Sequence, residues 1–344
     1  MLTKPLKIVI LGESEFETNG FHIAESLNFL GHKATIITYK EGLPWYLNTK
    51  LTQKVNYYLI KGSYFLERQH AETIAKLVEK AEPDLVITIY RNIHPSLIPK
   101  LRKSLPLTKF VHINSDHLSN FERQQLFVSD YDIYFVKDPF MLDFFKNQLG
   151  LNSFLLSEYC NPRVVKIPKF SKAEQEKSVK IDASIFGNIY PYRSIFIENI
   201  INNNINLKVF GAKGPYMPRD VEKCFTNEYL IGSRKAEVLY GSKIIFNNFH
   251  YAEIEGVNQK FFEIFGAGGC QICTYKEIIK NYSPIDPELF TFKNNSEAIE
   301  KANYYLINDD KRFEISKIMS EFFTENHTID IRMKEVLDKV YSGE

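Results

Sequence analysis

The 344-residue chain has only four cysteines, at 160, 224, 270 and 273, too few and too unevenly placed for a disulfide scaffold. It has no excess of one charge: 43 Lys+Arg against 42 Asp+Glu leave +1, which excludes a protein whose main task is neutralising a nucleic-acid backbone. No stretch approaches the roughly 18 uninterrupted apolar residues of a membrane span. The start, MLTKPLKIVILGESE, lacks the apolar segment and small-residue cleavage site of a secretory signal, so a cytoplasmic location is expected. Several signatures are also missing. No G-x-G-x-x-G follows the first β-rich run, where the acidic GESEFETNG stands, and this argues against a dinucleotide cofactor. Neither a G-x-x-x-x-G-K-[ST] phosphate loop nor a G-x-S-x-G elbow occurs. The eight histidines form no H-x-x-x-H or H-E-x-x-H pair, so neither metal nor cofactor is expected. Cys270 and Cys273 make a lone C-x-x-C, which in GGCQICTY reads as a buried strand after a glycine turn.

What is present is an alternation of short β-rich runs with longer amphipathic stretches, the pattern of an α/β protein with parallel sheets covered on both faces. Strands are expected at 6–12, 33–39, 84–90, 109–114 and 132–137, with helices at 21–32, around 70–83, at 94–105 and around 139–150. A second series has strands at 181–187, 207–211, 243–249 and 270–275, with helices at 193–204, 233–242, 258–268, 296–307 and 310–324. Between them, the proline- and lysine-rich 166–180 reads as a linker. The expected organisation is a domain over 1–165, the linker, a second domain over 181–327, and a closing helix in 328–344 that packs back toward the first domain. Two such lobes would leave a cleft at the carboxyl ends of their sheets, where ligands bind.

The informative segment is YAEIEGVNQKFFEIFGAGG, 251–269. Glu255 and Glu263 stand eight apart, with Gly256, Val257 and Asn258 leading into a helix. The free N–H groups of that helix start can receive a diphosphate, and Lys260 in its first turn adds a full charge. Phe261, Phe262, Ile264 and Phe265 make the helix apolar on most sides, so Glu263 should be shielded, and a shielded carboxylate needs hydrogen-bond donors. GAGG, 266–269, reads as a helix-to-strand turn rather than a phosphate loop.

This segment resembles the Glu-x7-Glu signature of retaining GT-B glycosyltransferases, and more narrowly the CgeB-like (spore maturation protein) glycosyltransferases. IDASIFGNIYPYR (181–193), LKVFG (207–211) and ENHTIDIRMKEVL (325–337) resemble further family segments in the same order. The resemblance covers nearly all of the second half and the first half in outline. It implies two Rossmann-like parallel-sheet domains facing a central cleft, with the first handling the acceptor and the second the nucleotide sugar. Glu263 would be the ribose ligand and Glu255 the contact to the donor sugar. Gly256, Val257 and Asn258 would flank the diphosphate, next to the Gly187–Asn188 turn, while Arg193 and Lys260 supply its charge. Lys260 stands where the family usually has arginine, so the charge is kept and the bidentate fork lost.

Other residues carry weaker signals. Asp116 and His117 follow the run 109–114 at its carboxyl end, where related enzymes often place a polar group or histidine against the donor sugar, although the pair also suits an ordinary cap. Lys213 in GAKGPY is within reach of a nucleotide. His94 reads first as a neighbour of the helix-starting Pro95, and His250 as a structural histidine. Glu13, Glu15 and Glu17 read as a solvated acidic loop. The expected activity is metal-independent transfer of a sugar from a nucleotide diphosphate donor, UDP-linked ahead of GDP-linked, to a glycan or lipid-linked glycan acceptor. Nucleic acid is not an expected partner, and peripheral contact with the inner face of a membrane would suit a lipid-linked acceptor. The alternatives are a nucleotide-sugar epimerase of the same architecture and a non-catalytic nucleotide- or glycan-binding surface or spore protein.

Overall fold

The structure, a computed structural model, describes residues 4–43, 50–89, 93–117, 129–214 and 217–342. Tyr90, at the end of the strand expected over 84–90, and Pro215 and Tyr216 of GAKGPY lie outside the described residues. The chain divides into two units, one of Met1–Ser157 with Ile329–Glu344, the other of Glu158–Thr328.

In the first unit β1 (Lys7–Leu11), β2 (Lys33–Ile37), β3 (Leu85–Thr88), β4 (Lys109–Asn114), β5 (Ile133–Val136) and β6 (Ser153–Leu155) form a parallel sheet in the order β2-β1-β3-β4-β5-β6. Helices α1 (Asn19–Phe29), α2 (Lys50–Gly62), α3 (Tyr64–Ala81), α4 (Leu97–Ser104) and α5 (Pro139–Asp143) connect the strands. LVIT of β3 and IYFV of β5 are buried at every position, as parallel strands covered on both faces must be. At the start of α1 the Thr18 hydroxyl accepts from Phe21 N–H at 3.4 Å, and beyond its end Gly31 turns the chain at φ +90°.

The second unit holds α6 (Lys172–Val179), β7 (Ile181–Phe186), α7 (Pro191–Asn202), β8 (Leu207–Phe210), α8 (Arg219–Cys224), α9 (Gly232–Gly241), β9 (Ser242–Asn247), α10 (Gln259–Gly266), β10 (Gln271–Thr274), β11 (Thr291–Phe292), α11 (Asn295–Ile307) and α12 (Asp309–Asn326). Its parallel sheet runs β11-β10-β9-β7-β8. Phe261, Phe262 and Phe265 of α10 pack on Phe323 of α12 with ring centroids 5.5, 5.6 and 5.1 Å apart, which fixes α10 from behind. The chain then returns to the first unit as α13 (Ile329–Tyr341). There the Ser26 hydroxyl donates to Asp330 Oδ1 at 2.6 Å, and the Tyr341 hydroxyl to Asp84 O at 3.2 Å. Among the described residues no helix is long and apolar enough to cross a membrane.

The segment 166–180 is not a bare linker. The break falls earlier, at Ser157/Glu158, because β6 completes the first sheet and Cys160 already bridges to Thr328 in the second unit. Residues 172–179 form α6, opened by a capping box in which Glu174 N–H donates to Ser171 Oγ at 3.3 Å and Ser171 N–H to Glu174 Oε2 at 2.8 Å. Lys172, Gln175 and Glu176 are buried, and α6 packs on α9.

One polar group lies deep in the first sheet. His112 of β4 is fully buried, with Nδ1 2.8 Å from Thr88 Oγ1, itself 3.0 Å from the Tyr131 hydroxyl. Burial pushes the imidazole down to about 3 from an ordinary value of 6.5. Between those values the unfolded chain binds a proton that the folded one does not. The stability His112 contributes is therefore complete above about pH 6.5 and falls by about 1.4 kcal/mol per pH unit below it. Urea unfolding at pH 7 and pH 5 should show a steeper loss for the wild type than for H112Q. Equal losses would mean that His112 does not set this dependence.

Candidate functional site

The strand order of the second sheet reverses at β7, which has β8 on one side and β9 on the other, and the loops after β7 and β9 leave its carboxyl edge at this switch point. Gly187 follows β7 with φ +112°, and a Cβ placed there would lie 2.1 Å from Lys260 Nζ. Glycine is needed because two cations converge on this turn. Lys260 Nζ donates to Phe186 O at 2.8 Å, and Arg193 Nη1 donates to Asn188 O at 2.6 Å. Arg193 Nη2 reaches Asn248 O after β9 at 3.1 Å, so the guanidinium ties the two switch-point loops together. Its Nε is buried without a hydrogen-bond partner. Burial lowers the Arg193 pKa, and burial followed by the neighbouring Arg193 pushes the Lys260 ammonium well below its ordinary range. Both side chains are thus desolvated cations that an arriving anion would stabilise.

The loop ahead of α10 is held on several sides. Asn258 caps the helix, its Oδ1 accepting from Phe261 N–H at 3.1 Å. Its amide also exchanges two 3.0 Å hydrogen bonds with Asn247, whose Nδ2 reaches Gln271 Oε1 at 2.7 Å. Lys276 Nζ donates to Glu253 O and Ile254 O, both at 2.6 Å. Gly256 and Val257 are buried, Glu255 is exposed, and Glu253, to which the sequence reading gave no role, is buried. The cap uses Phe261 N–H, which leaves Gln259 and Lys260 to present the first backbone donors of α10.

Glu263, one turn further on, is 9% exposed, and its Oε1 accepts from Lys235 Nζ of α9 at 3.1 Å. Lys235 is itself buried. Burial, and then the charges of Glu158 and Glu263, push the Tyr159 hydroxyl far up. The expected shielding of Glu263 is therefore present, and its donor is a lysine that sequence reasoning missed. A signal existed: Lys235 leads the buried stripe Lys235, Val238, Leu239 of α9, where an apolar residue would be the default.

Each of the other sequence candidates has its own local partners. Lys213 pairs with Glu222 of α8 on the surface. Asp116 and His117 follow β4 in the first unit, half-buried. There Asp116 N–H donates to Asn114 Oδ1 at 3.1 Å, and Asn114 Nδ2 donates to Asp116 O at 3.0 Å. Glu15 pairs with Lys40 at 2.6 Å in an exposed loop. His250 does have neighbours: its ring centroid lies 5.2 Å from Tyr190, 5.3 Å from Tyr192 and 4.2 Å from Tyr251, beside Arg193. Cys270 and Cys273 are buried free thiols, and burial pushes Cys270 up to about 11, away from thiolate reactivity.

Residues 193–338 match the model of a family described as glycosyl transferase-like. No curated protein matches. Among solved structures, sucrose-phosphate synthase from Thermosynechococcus elongatus superposes with a TM-score of 0.69 at 12% identity, over 98% of this chain and 100% of that one. The lipopolysaccharide outer core galactosyltransferase WaaB superposes at 0.63 and 12%, over 98% and 100%. A DNA-modifying β-glucosyltransferase, solved with and without its substrate uridine diphosphoglucose, superposes at 0.55 and 11%, over 97% and 99%. The fold is GT-B, two Rossmann-like units each on a parallel sheet.

Proposed function

We propose that the protein transfers a glycosyl group from a UDP-linked donor to a glycan or lipid-linked glycan acceptor, with retention of configuration and without a metal, in the manner of the CgeB-like enzymes. The observation that carries this reading is the convergence of Lys260 and Arg193 on the Gly187–Asn188 turn, with the N-terminus of α10 alongside and Glu263 held by Lys235 one turn away. A diphosphate placed at that turn meets two desolvated cations and free helix amides, a preorganised field for the charge that builds on a leaving nucleoside diphosphate.

In this reading Glu263 accepts from the ribose hydroxyls, and Glu255 with the Gly256–Asn258 backbone holds the donor sugar and diphosphate. Lys213 lies at the nucleotide's edge, and Asp116 and His117 of the first unit contact the donor sugar. The acceptor oxygen attacks the anomeric carbon on the leaving-group face, the carbon–phosphate-oxygen bond breaks, and the hydroxyl proton passes to the departing phosphate. The protein would act in the cytoplasm, at the inner membrane face when the acceptor is lipid-linked.

A thermal-shift series with UDP-, GDP- and CMP-linked sugars tests the reading. UDP-linked sugars should stabilise most, by about 2.7 kcal/mol at a hundredfold excess over Kd. No stabilisation by any nucleotide sugar would overturn it. Product analysis without acceptor identifies an epimerase by release of a modified donor, and a non-catalytic binder by stabilisation without turnover.

A further inference from the structure

A second pocket lies wholly within the first unit, at the carboxyl ends of β1 and β3 where the order of that sheet reverses. Its cavity, about 40 Å³, is lined by Tyr39 after β2, Tyr57 and Lys61 of α2, Glu67 and His70 of α3, and His94 ahead of α4. That is room for roughly three water-sized groups, so only the edge of a larger molecule enters.

The polar atoms have assignable roles. Ser96 N–H donates to His94 Nδ1 at 3.2 Å, so Nδ1 is the acceptor and the proton sits on Nε2. His94 is 3% exposed, and Nε2 has no hydrogen-bond partner, so a buried N–H donor is left unused at the pocket wall. His70 Nε2 lies 2.8 Å from Tyr39 O and donates to it, while its ring stacks on Tyr39 at 4.0 Å. Burial holds both imidazoles below their ordinary value, so they stay neutral at neutral pH. Glu67 is the carboxylate whose charge reaches Tyr39, His70 and His94 alike. At the rim Tyr57 and Tyr64 expose 37% and 68% of their surface, with the Tyr64 ring 4.8 Å from His94.

Neutral donors, one carboxylate and exposed aromatic faces suit a polyhydroxylated ring: a hydroxyl can accept from His94 and donate to Glu67 while the ring lies against tyrosine. Among the described residues that line the pocket, a phosphate would meet the Glu67 carboxylate with Lys61 as the one cation to offset it. We propose that this pocket takes the hydroxyl-bearing edge of a sugar and is the acceptor-recognition subsite of the protein. The acceptor role rests on the transfer reading, whereas the affinity for a sugar does not.

Saturation-transfer NMR of the full chain with methyl α-glucoside, methyl β-galactoside and N-acetylglucosamine tests it, with UDP binding followed in parallel. At least one of the three should show ring-proton saturation. H94F and E67Q should each weaken it about tenfold, the size of one unpaired buried hydrogen bond. H94Q, which restores an N–H, should retain it, and UDP binding should be unchanged in all three variants. If H94F does not fold, E67Q carries the test. Saturation by none of the three sugars overturns the proposal, as does a signal that survives both H94F and E67Q or is lost equally in folded H94Q. Failure of the transfer reading has a different sign: sugar saturation without UDP binding.

Discussion

Glu263→Ala is expected to cost about 3–5 kcal/mol of stability and to remove stabilisation by nucleoside diphosphates, because it takes away the buried carboxylate that accepts from the buried Lys235 ammonium. For a unit of this size that is a fall of roughly 10 °C in Tm. Loss of fold and loss of binding are separated by E263Q, whose amide oxygen still accepts from Lys235 at nearly the same volume. E263Q should retain most of the stability and lose about ten- to a hundredfold in UDP affinity, the range for a hydrogen bond made by a charged group. The double variant Glu263→Leu/Lys235→Met should recover stability without recovering binding. If UDP stabilises E263Q as well as it does the wild type, Glu263 does not hold the nucleotide.

Glu176→Ala should be comparably damaging through structure alone. Arg312 is fully buried, with Nε 3.1 Å from Glu176 Oε1, Nη2 2.6 Å from Oε2 and 2.8 Å from Asp309, and Nη1 on Tyr305 O. Lys172 Nζ lies 3.5 Å from the same carboxylate. E176A therefore removes the buried carboxylate that two buried cations share, leaving Arg312 with Asp309 and Lys172 with the Tyr240 carbonyl, and should cost about 3 kcal/mol. R312M leaves Glu176 paired with Lys172 and should cost less. Urea unfolding that ranks R312M as the more harmful, or finds E176A within about 0.5 kcal/mol of wild type, would show that this cluster does not hold α6 to α12.

These two carboxylates show where the sequence was legible. Glu263 stood out because its neighbours Phe261, Phe262, Ile264 and Phe265 left it few exposed directions, and the helix start at Asn258 was marked by a capping residue. Alternation of apolar runs located the long strands closely, with KFVHIN matching β4 end to end. Glu176 was hidden because composition alone describes 166–180 as solvated. The contrary signal was local, the Ser171–Glu174 capping box, and the burial of its charges comes from Arg312, 136 positions away. α2 escaped for a different reason: KLTQKVNYYLIKG carries little apolar surplus and packs on the helix that follows it, α3. Lys235 was missed because partners 28 positions apart meet only once β9 and α10 are folded.

α13 gives the chain an order of events. The first unit is complete only when residues 329–341 lie against α1, yet the whole of the second unit is made between them and the first sheet. The second unit is one continuous segment and can close by itself, while the first waits for α13 with one face of α1 uncovered. A released chain truncated after Thr328 should therefore hold a folded second unit and an unfinished first one, and this is the form in which a chaperone would have most to bind.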